Sequence, residues 1–140
     1  MVSRVSAPTF DEIGALTMRL YRVADLAKAD FTAVVGEIGL TSLQARVLLQ
    51  LEEPTPMHRL AKLLACDASN VTGIADRLAA AGLLERVEGQ DRRVKLLRLT
   101  EAGVRLRAQV AERIAWGATA SKLDTGERAQ LTVLLEKLLA

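Results

Sequence analysis

The segment Leu83-Leu84-Glu85-Arg86-Val87-Glu88-Gly89-Gln90-Asp91-Arg92-Arg93-Val94-Lys95-Leu96-Leu97-Arg98-Leu99 decides the fold. Leu83 to Glu88 and Lys95 to Leu99 read as strands, and Gly89-Gln90-Asp91 between them is a turn signal. The result is a two-stranded ribbon with basic residues in and just after its tip. A short basic ribbon of this kind is a wing.

Two short helices precede it. Thr55-Pro56 reads as a helix start, a capping hydroxyl followed by proline at the first helical position. Met57, Leu60, Ala61 and Leu64 then supply a one-sided stripe, which breaks near Ala65-Cys66. Asp67 is placed to cap the next helix, over residues 68–81, and Gly82 to stop it. Two short helices joined by a tight turn outline a helix-turn-helix, so the core of the chain reads as a winged helix-turn-helix.

The outer elements are helical. A first helix is expected from Phe10 to Gly36, with Ile13, Leu16, Leu20, Val23, Leu26 and Ala27 at spacings of three and four, and Gly39 as a stop. Thr41-Ser42-Leu43-Gln44 has the form of a capping box and opens a second helix that buries Leu43, Val47, Leu48 and Leu51. Pro54 ends it. Beyond the wing, Thr100 can cap a helix running to about Ala120, with Gly117 as a kink. Asp124, with Glu127 three residues on, opens a last helix rich in leucine. The fold class is mostly α with a small β-wing.

Composition narrows the function. At 140 residues, half of them apolar and 26% charged, the chain fits one globular domain that needs no disulfide or metal staple. Aromatics at 3% argue against a single-strand binder built on stacking platforms. One Cys66 and one His58 make neither an internal disulfide nor a zinc site, so no cofactor or metal is expected. No leader-like opening and no long apolar run is present, which predicts a cytoplasmic protein without membrane contact. The net charge of +2 says little, but its distribution says more. Between Arg77 and Arg107 stand Arg77, Arg86, Arg92, Arg93, Lys95, Arg98, Arg105 and Arg107, against only Glu85, Glu88, Asp91 and Glu101. A basic patch on a near-neutral body is a footprint for a polyanion.

The helix over 68–81 divides into two faces. Val71, Ile74, Ala75 and Leu78 form an apolar face, while Ser69, Asn70, Gly73 and Arg77 fall opposite. Asn70 can bond adenine bidentately, and Ser69 and Thr72 can reach a phosphate or a base edge. Gly73 allows close backbone approach, Arg77 suits a phosphate, and the positive helix N-terminus adds attraction for one. Alone, the helix could equally be an ordinary amphipathic one with a small polar surface. Its neighbouring basic wing favours DNA.

Asp91-Arg92-Arg93-Val94-Lys95-Leu96-Leu97-Arg98-Leu99-Thr100-Glu101-Ala102-Gly103 resembles the multiple antibiotic resistance regulator (MarR) family. That family's wing carries Asp-x-Arg followed by Leu-Thr-x-x-Gly, matched here by Asp91, Arg93, Leu99, Thr100 and Gly103. Leu78, Gly82, Leu83, Glu85 and Arg86 resemble the family's exit from its recognition helix. The resemblance implies a transcriptional regulator on double-stranded DNA, with helix 68–81 in the major groove and Arg93 in the minor groove. A narrow A·T-rich minor groove attracts arginine through its enhanced negative potential. DNA-binding candidates are therefore Ser69, Asn70, Thr72, Gly73, Arg77, Arg92, Arg93 and Lys95, although Arg92 also fits a solvated tip charge. Asp91 is expected to organise the wing by pairing with Arg93 or Arg77.

The resemblance also implies a homodimer. Residues 10–36 and 101–140 would supply dimerisation helices around a DNA-binding lobe over 41–100, all within one domain spanning 1–140. Leucine-rich chain ends need a partner surface, and a two-fold dimer suits a pseudo-palindromic operator with half-sites about 10–10.5 bp apart. Blocking a promoter as a repressor is the simpler mechanism. The family likeness further implies a small aromatic or phenolic effector, with Tyr21 and Trp116 as candidate pocket residues that equally fit a core or interface. Some members of the family sense oxidants through a thiol, usually in the first helix. Cys66 stands instead before the fourth, where a helix N-terminus lowers a thiol pKa. His58 fits a surface or phosphate-facing residue, and adjacent Glu52 and Glu53 point apart on a helix. With no phosphate-cradling loop, HExxH or nucleophile elbow, no enzyme is expected. The alternative from another class is a winged helix used as a protein–protein interaction module.

Overall fold

The computed structural model describes residues 7–117 and 119–140, the Trp116 side chain excepted. β2 (Leu84–Glu88) and β3 (Lys95–Leu99) pair antiparallel, with Leu84 opposite Leu99 and Glu88 opposite Lys95. The two-residue period of a strand turns Leu84, Leu97 and Leu99 into the core and leaves Glu85 and Arg98 in solvent, while Lys95 is exposed at the end of β3 near the wing tip. The two-stranded wing predicted from the sequence is therefore present, with its first strand starting one residue later than expected.

A third strand was not expected. β1 (Thr55–Pro56) joins the free side of β3, with Thr55 opposite Leu97 and Pro56 opposite Leu96, so the sheet order is β1-β3-β2. This corrects the reading of Thr55-Pro56 as a helix start. Thr55 is buried, and its hydroxyl donates to the Glu53 carbonyl at 2.9 Å rather than capping a helix. An edge strand accommodates a proline, and α3 (Met57–Leu64) begins only after Pro56, which supplies no side-chain cap.

α3 buries Leu60, Ala61 and Leu64. Ala65, in the left-handed region at φ 51°, closes it, and α4 (Ala68–Ala80) follows. Asp67 holds the N-cap position, but its exposed side chain makes no capping hydrogen bond to the helix. The other end of α4 is tightly closed. The Leu83 amide donates to the Leu78 carbonyl at 2.9 Å and that of Gly82 to Ala79 at 3.0 Å, with Gly82 at φ +75°. These paired bonds form a Schellman motif, which calls for glycine at the left-handed position.

α1 (Phe10–Gly36) matches its predicted span, whereas α2 (Ser42–Gln50) stops three residues before the expected Glu53, so Glu52 and Glu53 lie outside the helix, and Leu43 is only half-buried. The capping box of α2 is closed in both directions, Thr41 amide to Gln44 Oε1 at 2.9 Å and Gln44 amide to Thr41 Oγ1 at 3.2 Å. α5 (Glu101–Gly117) ends at the glycine expected to kink it. A Cβ on Gly117 would lie 2.7 Å from Val34 Cγ2, so the residue marks a close approach to α1. A 3-10 turn (Thr119–Lys122) leads to α6 (Thr125–Leu139), whose Asp124–Glu127 capping box is also complete.

The chain divides into two compact units. The first, Phe31–Gly117, holds the helix-turn-helix, the sheet and α5 around Leu48, Leu60, Leu64, Val71 and Leu97. A smaller cluster of Val35, Ala45 and Val110 seats the end of α1 and the middle of α5 in the same unit. The second comprises the chain up to Asp30 and the segment beyond Gly117. There the Thr119 hydroxyl donates to the Asp30 carboxylate. Most of its large apolar side chains are exposed, among them Phe10 at 90%, Tyr21, Val133 and Leu138 at 63%. Among the described residues, no helix is long and apolar enough to cross a membrane.

Candidate nucleic-acid interface

α4 presents two chemically distinct faces. Val71, Ile74, Ala75 and Leu78 are buried, while Ser69, Asn70, Gly73, Asp76, Arg77 and Ala80 are exposed. At roughly 100° per residue the exposed set forms one continuous stripe opposite the buried one. Thr72 lies at its margin, half-buried, with its hydroxyl donating to the Ala68 carbonyl at 2.8 Å. That bond uses its only donor proton, so Thr72 can offer DNA an acceptor alone. Gly73 stands near the centre of the stripe, and a Cβ built there meets nothing within 4 Å. Among the described residues, no packing calls for glycine at that position.

The tip of the wing is ordered by its own bonds. The Gly89 amide donates to the Val94 carbonyl at 3.1 Å, and the Val94 amide to the Asp91 carbonyl at 3.0 Å. The Asp91 carboxylate accepts the backbone amide of Arg93 at 3.0 Å. This corrects the expected partner. Asp91 engages neither the Arg93 nor the Arg77 guanidinium, because a short side chain two residues away reaches the amide first, as in an Asx turn. Arg92, Arg93 and Lys95 are left exposed.

Ion pairing sorts the basic segment further. Four of its eight cations are spent on carboxylates: Arg86 on Asp76, Arg98 on Glu85 at 2.6 Å, Arg105 on Glu101 at 3.1 Å, and Arg107 on Glu52 at 2.6 Å. The other four are Arg77, Arg92, Arg93 and Lys95, and none has a carboxylate within 4 Å among the described residues. Those four are the basic residues predicted from sequence to contact DNA. Sequence reasoning did not single out the Asp76–Arg86 pair, which places a carboxylate on the exposed stripe of α4 and neutralises it from β2. Its members lie ten residues apart on different elements, so no local periodicity announces them.

The base of the wing is locked to the end of α4. The Thr100 hydroxyl donates to the Gly82 carbonyl at 2.6 Å and accepts the Gly103 amide at 3.1 Å, while the Thr100 amide donates to Leu83 at 3.1 Å. A Cβ on Gly103 would stand 2.0 Å from the Leu83 carbonyl oxygen. Thr100 and Gly103 therefore serve the junction between α4, the wing and α5.

The remaining candidates are dispersed. Half-buried Cys66 directs its thiol to the Leu64 carbonyl at 3.3 Å, and His58 is exposed. Glu52 is paired with Arg107, so it and Glu53 do not form a carboxylate pair. Tyr21 is exposed, and the side chain of Trp116 lies outside the described residues.

Residues 40–95 match the model of the MarR family. No curated protein sequence matches the chain. Among solved structures, the transcriptional regulator BldR from Sulfolobus solfataricus is similar at 25% identity over 95% of this chain and 98% of that one, with a TM-score of 0.78. A cysteine-to-serine variant of MarR from E. coli, solved in complex with operator DNA, is 25% identical over 96% of this chain and 100% of its own, with a TM-score of 0.74. A probable transcriptional regulator from Pseudomonas aeruginosa is 29% identical over 88% and 96%, with a TM-score of 0.67. Residues 40–95 thus resemble the MarR family, within a fold that the chain shares along most of its length with solved transcriptional regulators.

Proposed function

We propose that this chain is a sequence-specific, double-stranded DNA-binding transcriptional regulator. It acts as a homodimeric repressor that a small aromatic or phenolic effector releases. α4 enters the major groove with Ser69, Asn70, Gly73 and Arg77 on the reading face and Thr72 at its edge. Arg93 enters the adjacent minor groove, with Arg92 and Lys95 on the flanking phosphates. Asp91 holds the Arg93 backbone in place while the guanidinium remains free for DNA.

One observation carries this reading: among the described residues, the cations of the basic segment that no carboxylate occupies are those of α4 and the wing. Free cations beside a polar helix face are what a phosphate backbone requires. The relative solved with operator DNA shares this fold. Homodimerisation is supported by the exposed apolar stripes of α1 and α6, which include Ile13, Leu16, Leu20, Leu134 and Leu138. A cavity of ≈ 530 Å³ lined by Ile38, Gln109, Glu112 and Arg113 offers room for a small effector.

The test is binding to genomic fragments at two salt concentrations, wild type beside Arg93→Ala. Selective binding that weakens with salt and is largely lost in the variant supports the reading. If no fragment binds better than random DNA, the reading falls and the lobe becomes a candidate protein-interaction module.

A further inference from the structure

We infer that Arg46 is a positioning residue for DNA recognition: from α2 it pins the turn between α3 and α4 and so fixes how α4 is presented. The inference rests on the DNA-binding reading above. α2 is anchored by buried Ala45, Val47 and Leu48, and Arg46 is exposed among them. Its Nη2 donates to the Leu64 carbonyl oxygen at 3.0 Å, across 18 residues of chain. Leu64 is the last residue of α3, where a carbonyl has no partner inside the helix and needs one outside it. The half-buried Cys66 thiol donates to the same oxygen at 3.3 Å. The guanidinium bond is the stronger of the two, because it is charge-assisted and meets the negative end of the helix dipole.

The turn that Arg46 holds is short and strained. Ala65, at φ 51° and ψ 43°, is the one non-glycine residue of positive φ among the described residues. That conformation is disfavoured for a residue with a Cβ and persists where its surroundings enforce it. The amides of Ala65 and Cys66 close α3 onto the Lys62 and Ala61 carbonyls, each at 3.1 Å. Only Ala65, Cys66 and Asp67 separate α3 from α4, whose first turn carries Ser69 and Asn70. Asp67 makes no capping bond to α4, so its side chain does not hold that first turn. Among the described residues, the Arg46 bond is the one side-chain hydrogen bond that ties residues 64–67 to another element. A helix that reads base edges must be held to within about 0.5 Å. Sequence-independent attraction to phosphates makes no such demand.

Fluorescence anisotropy of the full chain tests this on its preferred genomic fragment and on a mixed-sequence duplex, each across a sodium chloride series. Thermal unfolding is measured alongside. Arg46→Met keeps an apolar stem and removes the donors. It is expected to bind the preferred fragment about tenfold more weakly, with the affinity for mixed sequence and its salt slope as in wild type. Arg46→Lys restores a charged donor and should recover most of the preference. Two results overturn the inference. Equal weakening on both duplexes, with a salt slope lower by about 0.9, makes Arg46 a phosphate contact. An unchanged preference, with or without a lower thermal midpoint, leaves the bond to folding alone. If the wild type prefers no fragment, the DNA-binding reading itself fails and takes the inference with it.

Discussion

Replacing Gly73 with alanine should make the free protein more stable and the DNA complex weaker. Gly73 is the sixth of thirteen residues in α4, well inside the helix, and is exposed. Glycine inside a helix costs about 0.5–1 kcal/mol relative to alanine, because the unfolded chain has more freedom to lose. An added Cβ meets nothing within 4 Å, so no steric penalty offsets that gain. The thermal midpoint should rise by about 2–4 °C for a chain of this size. At the interface the same methyl group occupies space that a closely docked groove would fill. Overpacking a fitted contact costs about 1–3 kcal/mol, an affinity loss of about 5- to 150-fold. Scanning calorimetry and anisotropy on the preferred fragment measure the two effects separately. A variant that is more stable and binds as tightly as wild type would show that Gly73 is not kept for close approach to DNA.

The remaining predictions probe the junction, a cap and the charge on the reading face. Gly103→Ala drives a Cβ to within 2.0 Å of the Leu83 carbonyl oxygen, and urea denaturation should show a loss of about 3 kcal/mol. Thr41→Ala opens the capping box of α2 and should cost about 1 kcal/mol in the same assay, with DNA affinity unchanged once folding is complete. Arg86→Gln frees the Asp76 carboxylate on α4. Because the pair is exposed, stability should move by less than about 1 kcal/mol. DNA affinity should nonetheless fall by at least about tenfold, since a bare carboxylate then faces phosphate, and adding Asp76→Asn should recover most of it. Failure of that second substitution to restore binding would remove Asp76 from the interface.

What the sequence made legible was local. The strand-like runs on either side of Gly89-Gln90-Asp91, the stripe of Val71, Ile74, Ala75 and Leu78, and the boxes at Thr41 and Asp124 each involve residues within a short stretch of chain. Their physical causes act over the same range, so pattern and structure agree. β1 escaped because two residues hold no period, and Thr55-Pro56 is chemically a good helix start. Only pairing with Leu97 and Leu96, some forty residues later, turns it into a strand. The ion pairs Arg86–Asp76, Arg98–Glu85 and Arg107–Glu52 span 10 to 55 residues. No window of sequence states which arginines they occupy, so the sequence identified a basic segment without separating its spent charges from its free ones. Asp91 was placed correctly at the tip, but its partner was misread, because a guanidinium is the obvious counter-ion and a neighbouring amide is the nearer one.

Residues retained for folding and residues retained for a ligand leave opposite marks in this lobe. Gly103 and Gly73 are the same amino acid, yet a Cβ on the first collides with the chain and a Cβ on the second touches nothing. Arg86, Arg98, Arg105 and Arg107 are answered by carboxylates of their own chain, whereas among the described residues Arg77, Arg92, Arg93 and Lys95 are not. A mid-helix glycine and a group of unanswered cations each cost the isolated protein something and return nothing to it, the first in chain entropy and the second in mutual repulsion. Both costs fall on α4 and the tip of the wing, while the Thr100–Gly103 junction and the Schellman closure at Gly82 hold the base of those elements in place. A rigid frame that presents unsatisfied chemistry is the physical description of a binding surface, and an extended polyanion with grooves satisfies cations and close backbone approach together.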